Sequence, residues 1–559
     1  MDDSFVKVPV NVPKLSGFDK SHQNLLTTKV GTITPILIDE LIPGSKVHLK
    51  LALSASLPPL ASDTFMRCSV KCEAFFVPFR LLAGSFESWF TDTEKKFAPY
   101  VSGGSTVNPT ARKGFLPIIG GLDGVNDAGA LSAIFAPGGL FDYLGLRSGV
   151  TGFLTTTGFT LSAMPALAYH RVYHDWYRNT LVQNEVFLPP TGSSGGFPTP
   201  GSQNIFAGTA PYYFFQESNN LYIFGSTASM MLADGKYLYE LRQRNFGLDY
   251  FTTGTPSPQQ GAAMTVGFGV DANGAGDSSH FSIAALRAAN SLQQFKERNQ
   301  LAGQLFVEQC RARYGVSPSD GVAQRSLYLG SAEYEVYTKG VFQNSVDNPQ
   351  LNPGNNPFTS VGSVYGSAKA VGNGTLVDSF EAKEPGYLFV NATLVPRVTY
   401  SSGIHRRLTN YRGAGSISDL ANPILQNVGP QPIYQYELNG APSSSVFGYT
   451  DRYASFKTME DELHGILRDG QSLQAFALQR NFAAGSTPTI SSAFLEIPTT
   501  YLDQVSAVSG EVSQFGCWMD CYFDYKVAQP LAKYSLPSLQ DPAYEHGRTI
   551  VVHKGGQRL

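Results

Sequence analysis

Between Arg397 and Arg412 the chain concentrates cations and flat rings: Arg397, Tyr400, His405, Arg406, Arg407, Tyr411 and Arg412. Single-stranded nucleic acid binds where cations meet phosphates and aromatic faces stack bases, each stacked base contributing ~1–3 kcal/mol. Arg and Tyr are also enriched where two protein surfaces meet. The cluster is therefore a candidate for DNA contact, carried by Arg406, Arg407, Tyr411 and Arg412, or for a subunit interface. His546, Arg548, His553, Lys554 and Arg558 near the C-terminus form a second basic group open to the same two readings.

Catalytic and metal-binding spacings fare worse. His170 and His174 are one helical turn apart, but a His-Glu-x-x-His hydrolase needs Glu where this chain has Arg171, a cation that would repel a metal. Packed or interface histidines are expected instead. Gly235-Lys236 lacks the earlier glycine of a phosphate loop and is followed by Tyr237, not a hydroxyl residue of the Ser/Thr kind. Glu460-Asp461-Glu462 point three ways and suit a solvated or interface face better than a glycosidase pair. Cys68/Cys72 and Cys517/Cys521 lie in strand-like runs, where positions i and i+4 share a face ~13 Å apart. Neither pair chelates a metal alone, and buried reduced thiols are expected. No enzyme, cofactor or metal site follows.

Strands must carry most of these residues. Thr32 to Leu41 is a β-rich run closed by Pro43-Gly44, Lys46 to Leu53 alternates polar and apolar, and Cys68 to Val77 is an aromatic strand stopped by Pro78. Strand patterning returns from Tyr387 onward. Two helices stand out. Ala166 to Arg178 has Ser162 as a cap and Pro165 in its first turn. The second is capped by Ser282, puts Leu286, Leu292, Phe295, Asn299, Ala302 and Phe306 on one stripe, and ends with Arg311 and Arg313 before Gly315. Residues 1–20 read as an extended arm, 21–188 and 280–538 as two parts of one β body, and 539–559 as a tail. Pro189 to Ser279 reads as an inserted surface subdomain, turn-rich at its edges and too aromatic to stay unfolded.

Composition sets the class. Charged residues make up 15% of the 559 positions against an average near 25%. With 56 Gly and 34 Pro, this suits short strands and long turns, with faces buried against other copies. A net charge of −3 excludes overall attraction to nucleic acid and leaves room for a local basic patch. No apolar run approaches the ~20 residues of a membrane span, and Met1-Asp2-Asp3-Ser4-Phe5-Val6-Lys7 has no apolar leader core, so assembly in a cytoplasm is expected.

The order and wording of several segments resemble one family. They include Gly17-Phe18-Asp19-Lys20-Ser21-His22, Thr34 to Gly44, Glu73-Ala74-Phe75-Phe76-Val77-Pro78-Phe79-Arg80-Leu81, Met164-Pro165-Ala166-Leu167-Ala168-Tyr169, Gln324-Arg325-Ser326-Leu327-Tyr328-Leu329-Gly330, Phe447-Gly448-Tyr449-Thr450-Asp451-Arg452-Tyr453 and Pro530-Leu531-Ala532-Lys533-Tyr534-Ser535-Leu536-Pro537. Together they resemble the major capsid proteins of the Microviridae, small single-stranded DNA bacteriophages, in particular the gokushovirus-like branch. The resemblance implies a mainly β fold: an eight-stranded antiparallel jelly-roll sandwich with long loop insertions and a few helices. It also implies a T=1 icosahedral virion shell of about sixty copies around a circular single-stranded DNA genome. The implied partners are a small basic internal DNA-binding protein, a scaffolding protein during assembly and a host-cell surface receptor, with no membrane insertion. The insertion is expected on the outer surface near a symmetry axis, and the arm is expected to be ordered by neighbouring subunits. A carbohydrate-binding β-sandwich is the competing reading.

Overall fold

The computed structural model describes residues 5–10, 15–61, 64–83, 86–92, 94–95, 100–102, 105–107, 112–113, 116–120, 128–146, 160–187, 223–224, 232, 234–262, 283–303, 305–343, 364–410, 421–442, 444–507, 516–531 and 548–553. Its centre is one curled antiparallel sheet built from β1 (His22–Thr28), β2 (Thr34–Leu41), β3 (Lys46–Ser56), β4 (Cys68–Pro78), β5 (Leu327–Gln343), β6 (Val364–Glu381), β7 (Gly386–Pro396) and β8 (Cys517–Gln529). The strand order is β1-β8-β3-β6-β5-β4-β7-β2. A short strand, Ser16–Asp19, continues β1 along the same edge of β8, so eight strand positions carry nine strands. Except for β4 and β5, which are paired neighbours, consecutive strands alternate between the two halves of the sheet, the expected jelly-roll arrangement.

The two ends of the sheet meet through side chains. Thr28 and Thr34 share a hydroxyl hydrogen bond of 2.5 Å, and Asn24 donates to the Ile36 carbonyl at 2.8 Å. Asp39 accepts from Lys20 and from the Tyr525 hydroxyl at 2.7 and 2.6 Å. Inside the curl, Val47, Leu49, Leu51 and Leu53 of β3 face Met519, Cys521, Phe523 and Tyr525 of β8, all buried. Burying one large apolar side chain stabilises by roughly 1.5–3 kcal/mol. Cys68, Cys72 and Cys517 are buried in this core with Cys521, and none forms a disulfide. Burial pushes the Cys517 and Cys521 thiols up to about 12, so they remain protonated apolar packing groups.

The halves differ on their outer faces. Along β3 and β8 exposure alternates strictly, the pattern of strands buried on one face only. Every residue of β7 is buried, and β4 becomes fully buried from Ala74 onward. The reason is a second core, in which Phe75, Val77, Tyr387 and Phe389 pack under α1 (Met164–Val172) and its neighbours. Pro165 sits in the first turn of α1, and the Met164 N–H donates to Ser162 Oγ at 3.3 Å. The helix runs on to Tyr177 through a wider turn that the Arg178 N–H closes onto the Tyr173 carbonyl.

Three segments depart from the sequence reading. The long helix is two: α2 (Ile283–Ala302) and α3 (Phe306–Tyr314), because Gly303 adopts φ +89° and Leu305 restarts the helix by donating to Glu308. Its cap, Ser282, lies outside the described residues. The apolar stripe is exposed rather than buried, with Leu286, Leu292, Phe295 and Phe306 between 41 and 62% exposed. Of the expected insertion, Leu238, Phe246, Tyr250 and Phe251 are built into the two cores, and much of 189–231 and all of 263–279 lie outside the described residues. In the expected arm and tail, Phe5–Val10 pairs antiparallel with Arg548–His553.

Candidate functional site

The basic cluster begins where β7 ends at Pro396. Tyr400 donates its backbone N–H to the Asp461 carbonyl at 3.1 Å and its hydroxyl to Asp249 at 2.7 Å, and its ring packs on Phe251. That ring is buried and presents no face to a base. His405 then caps a short turn, Arg406–Leu408, by accepting the Arg407 N–H at Nδ1, 3.0 Å away.

The turn sends its two arginines opposite ways. Arg406 enters the body, donating to the Pro432 carbonyl at 2.8 Å and the Tyr250 hydroxyl at 3.3 Å, 3.5 Å from Glu437. Burial raises the Glu437 pKa above its ordinary value, while Arg406 and the Tyr434 N–H hold it back. Arg407 is half-exposed and donates to both oxygens of Glu462 at 2.8 Å. Arg397 pairs with Asp461, and His464 lies 3.0 Å from Glu462. Partial burial works against it, yet the Arg407 bond and charge and the two histidines hold Glu462 below its ordinary range. Tyr411 and Arg412 lie outside the described residues.

Asp461, Glu437 and Glu462 therefore neutralise Arg397, Arg406 and Arg407. Separation along the chain hid this, and the signal that could have found part of it was the acidic triplet, whose Asp461 and Glu462 meet Arg397 and Arg407. His405, Glu460 and Glu462 could also hold a metal, their ligand atoms lying within 4.8 Å of one another. The hydrogen bonds argue otherwise. With Nδ1 accepting the Arg407 N–H, the His405 proton sits on Nε2, the nitrogen 3.4 and 3.6 Å from the carboxylates. A protonated nitrogen donates a hydrogen bond there and cannot ligate.

His170 and His174 are packing groups. Arg242 donates to His170 Nδ1 at 3.0 Å, which leaves Nε2–H to donate to the Leu238 carbonyl at 2.9 Å. Burial and the Arg242 charge push the His170 pKa well below its ordinary value, so it stays neutral. Alongside, Arg171 pairs with Asp175 at 3.0 Å, and Asp175 accepts from the Ser326 N–H and hydroxyl. Arg244 pairs with Glu73 of β4. These buried pairs clamp α1 and residues 234–245 onto the sheet. They are a scaffold, with no nucleophile or bound-substrate geometry.

What the described residues do offer is surface. One apolar region is the α2–α3 stripe, and the outer face of β8 and β3 is mixed, with Trp518 and Tyr522 exposed among Asp520, Asp524, Lys46 and Lys50. No helix of the described residues is long and apolar enough to cross a membrane. Such a molecule is built to meet large partners.

Comparison with known proteins agrees. The family model described as capsid protein (F protein) of phages matches residues 7–539. The capsid protein VP1 of Chlamydia phage 1 is 25% identical, with 97% of this chain and 98% of the relative aligned. The VP1 capsid proteins of Bdellovibrio phage phiMH2K and Spiroplasma virus 4 are 23% and 22% identical, covering 96% and 93% of this chain and 97% and 94% of their own lengths. With a jelly-roll body, neutralised charge clusters and a family match along nearly its whole length, the chain belongs to the phage capsid protein (F protein) family, the major capsid proteins of the Microviridae.

Proposed function

We propose that the chain assembles into a closed T=1 shell of about sixty copies around a circular single-stranded DNA genome. Full-length membership of the capsid family carries this reading. Low charge and apolar residues exposed on α2 and α3 support it, because a free monomer gains nothing from either. Phe187, just before the insertion, and Leu232 and Leu238 within it pack in the core under α1. We take the helix-covered side as the outer surface and the site of receptor contact.

Genome charge falls mainly to a separate small basic protein, because the chain is net negative and Arg397, Arg406 and Arg407 already face carboxylates. DNA contact in the 405–412 segment rests with Arg407, Tyr411 and Arg412, phosphate displacing Glu462 from Arg407. A scaffolding protein directs assembly in the host cytoplasm. Particle sizing with electron microscopy tests the shell: subunits of 60.5 kDa give roughly 3.6 MDa for about sixty copies. A monomer or trimer under assembly conditions overturns it. Arg407→Ala with Arg412→Ala should leave shells forming but lower the DNA retained at moderate salt, and unchanged retention refutes the contact.

A further inference from the structure

Two surfaces leave large apolar side chains open to solvent, and they are complementary. The first is the stripe on α2 and α3, where Leu292, Phe295, Leu301 and Phe306 are all exposed. The helix is held to its own chain by other residues: Lys296 donates to the Ala262 carbonyl at 2.8 Å and Asn299 to Gln260 at 3.4 Å. Arg313 lies over the Phe295 ring, 4.7 Å from its centre, and Arg298 stands three residues from both Phe295 and Leu301. Across the two helices Arg287, Lys296, Arg298, Arg311 and Arg313 stand against Glu297 and Glu308, a surplus of three positive charges.

The second is a groove of about 780 Å³ where the start of β4, the middle of β5 and the end of β7 meet the loops at 247–253 and 458–461. Leu248, Met459 and Tyr337 line it and are 87, 86 and 59% exposed, while Met66, Val395 and Pro396 lie deeper. Its walls are fixed by backbone hydrogen bonds, the Arg397 N–H donating to the Arg67 carbonyl at 2.8 Å and the Tyr400 N–H to the Asp461 carbonyl. The groove is thus preformed, as a binding site should be. Arg397 pairs with Asp461 and Lys71 with Glu333, which leaves Asp249, Glu335 and Glu460 against Arg67, a surplus of two negative charges.

We propose that the α2–α3 stripe of one copy docks in this groove of a second copy. The proposal rests on the reading that copies of the chain assemble into a shell. An amphipathic helix laid in a groove is a recurring mode of recognition, with aromatic anchors supplying most of the affinity. Here the helix brings exposed rings and positive charge, and the groove offers exposed aliphatic and thioether side chains and negative charge. The stripe is exposed in its own chain, so it does not fill its own groove. Helix and groove are different surfaces, so the contact is head to tail and repeats by rotation until a ring closes. That assigns it to a threefold or fivefold axis of the shell, because a twofold axis brings a patch against itself.

Two full-length variants carry the test. Phe295→Glu/Phe306→Glu loses the stripe and keeps the groove, and Leu248→Glu/Met459→Glu does the reverse. All four positions are exposed, so the fold is retained, and circular dichroism verifies it. Each variant alone should form neither rings nor shells. Mixed in equal amounts, the intact helix of one should enter the intact groove of the other and stop there. Sedimentation should then show a 1:1 complex of about 121 kDa from subunits of 60.5 kDa. In the variant that keeps the helix, Phe295→Ala should weaken this complex about 30-fold, the loss of one anchoring side chain. Arg298→Glu should weaken it about tenfold or more, whereas Arg298→Lys should leave it nearly unchanged. Shells formed by either variant alone overturn the proposal. So does a mixture that stays monomeric although both variants have lost their shells, since each surface then meets some other partner. Particle sizing of wild type tests the shell reading separately, because the 1:1 complex does not require a closed shell.

Discussion

Replacing Arg406 by alanine should destabilise the chain far more than replacing its neighbour Arg407. The Arg406 side chain is 14% exposed and lies 3.5 Å from Glu437, whose own side chain is 2% exposed. Removing the guanidinium leaves a buried carboxylate without an opposing cation, at a cost of about 3–5 kcal/mol. Arg407 is 53% exposed, so losing its pair with Glu462 costs about 0–1 kcal/mol. The two variants also differ with pH. Burial sets the Glu437 pKa above its ordinary value and Arg406 pulls it down, so Arg406→Ala raises it further. A carboxyl with a raised folded pKa contributes stability below its unfolded pKa and loses it as pH rises through the folded one. The Arg406→Ala deficit is therefore smallest in acid and grows from the ordinary carboxylate range toward neutrality. Denaturant unfolding of the unassembled chain over a pH series measures this. Adding Glu437→Gln, which removes the stranded charge, should recover most of the loss at neutral pH. A deficit no larger than that of Arg407→Ala, or one flat with pH, would refute the reasoning.

Other outcomes follow from packing and exposure. Among the cysteines, Cys310 is half-buried on α3 while Cys68, Cys72, Cys517 and Cys521 are buried with raised pKa values. Mass spectrometry after native alkylation should find Cys310 modified first and the other four only after unfolding. Gly31 has φ +70°, and a Cβ there would lie 2.5 Å from the Ile497 side chain. Gly31→Ala should cost more than the about 1–2 kcal/mol of a left-handed residue alone, seen as a lowered Tm. Phe295→Glu with Phe306→Glu should change subunit stability by about 0.5 kcal/mol or less each while abolishing shells in the micrograph. Normal particles would remove α2 and α3 from the assembly contacts.

Much of this protein was legible in its sequence, for local reasons. Alternation in Lys46 to Leu53, the aromatic run ending at Pro78 and the turn at Pro43-Gly44 are properties of neighbouring residues, and the strands lie where they predict. So is the ending of α3, where Gly315 takes φ +70° and donates its N–H to the Arg311 carbonyl. The failure of His170 and His174 as a metal pair was equally local, since Arg171 stands between them.

What tertiary structure alone decided is which groups meet across long separations. Arg406 is a buried ion-pair partner because folding brings Glu437 and Tyr250 to it, and Arg407 is neutralised because Glu462 arrives from a separate loop. The stripe on α2 looked like a core face, yet helical periodicity records only that a face is apolar, and here the described residues leave it exposed. Likewise, β7 reads as an apolar run and β8 as an alternating one, but only packing shows that α1 covers the first and nothing among the described residues covers the second. Pattern along a chain is set by short-range geometry, whereas burial and charge compensation are set by whichever distant segment fills the space opposite.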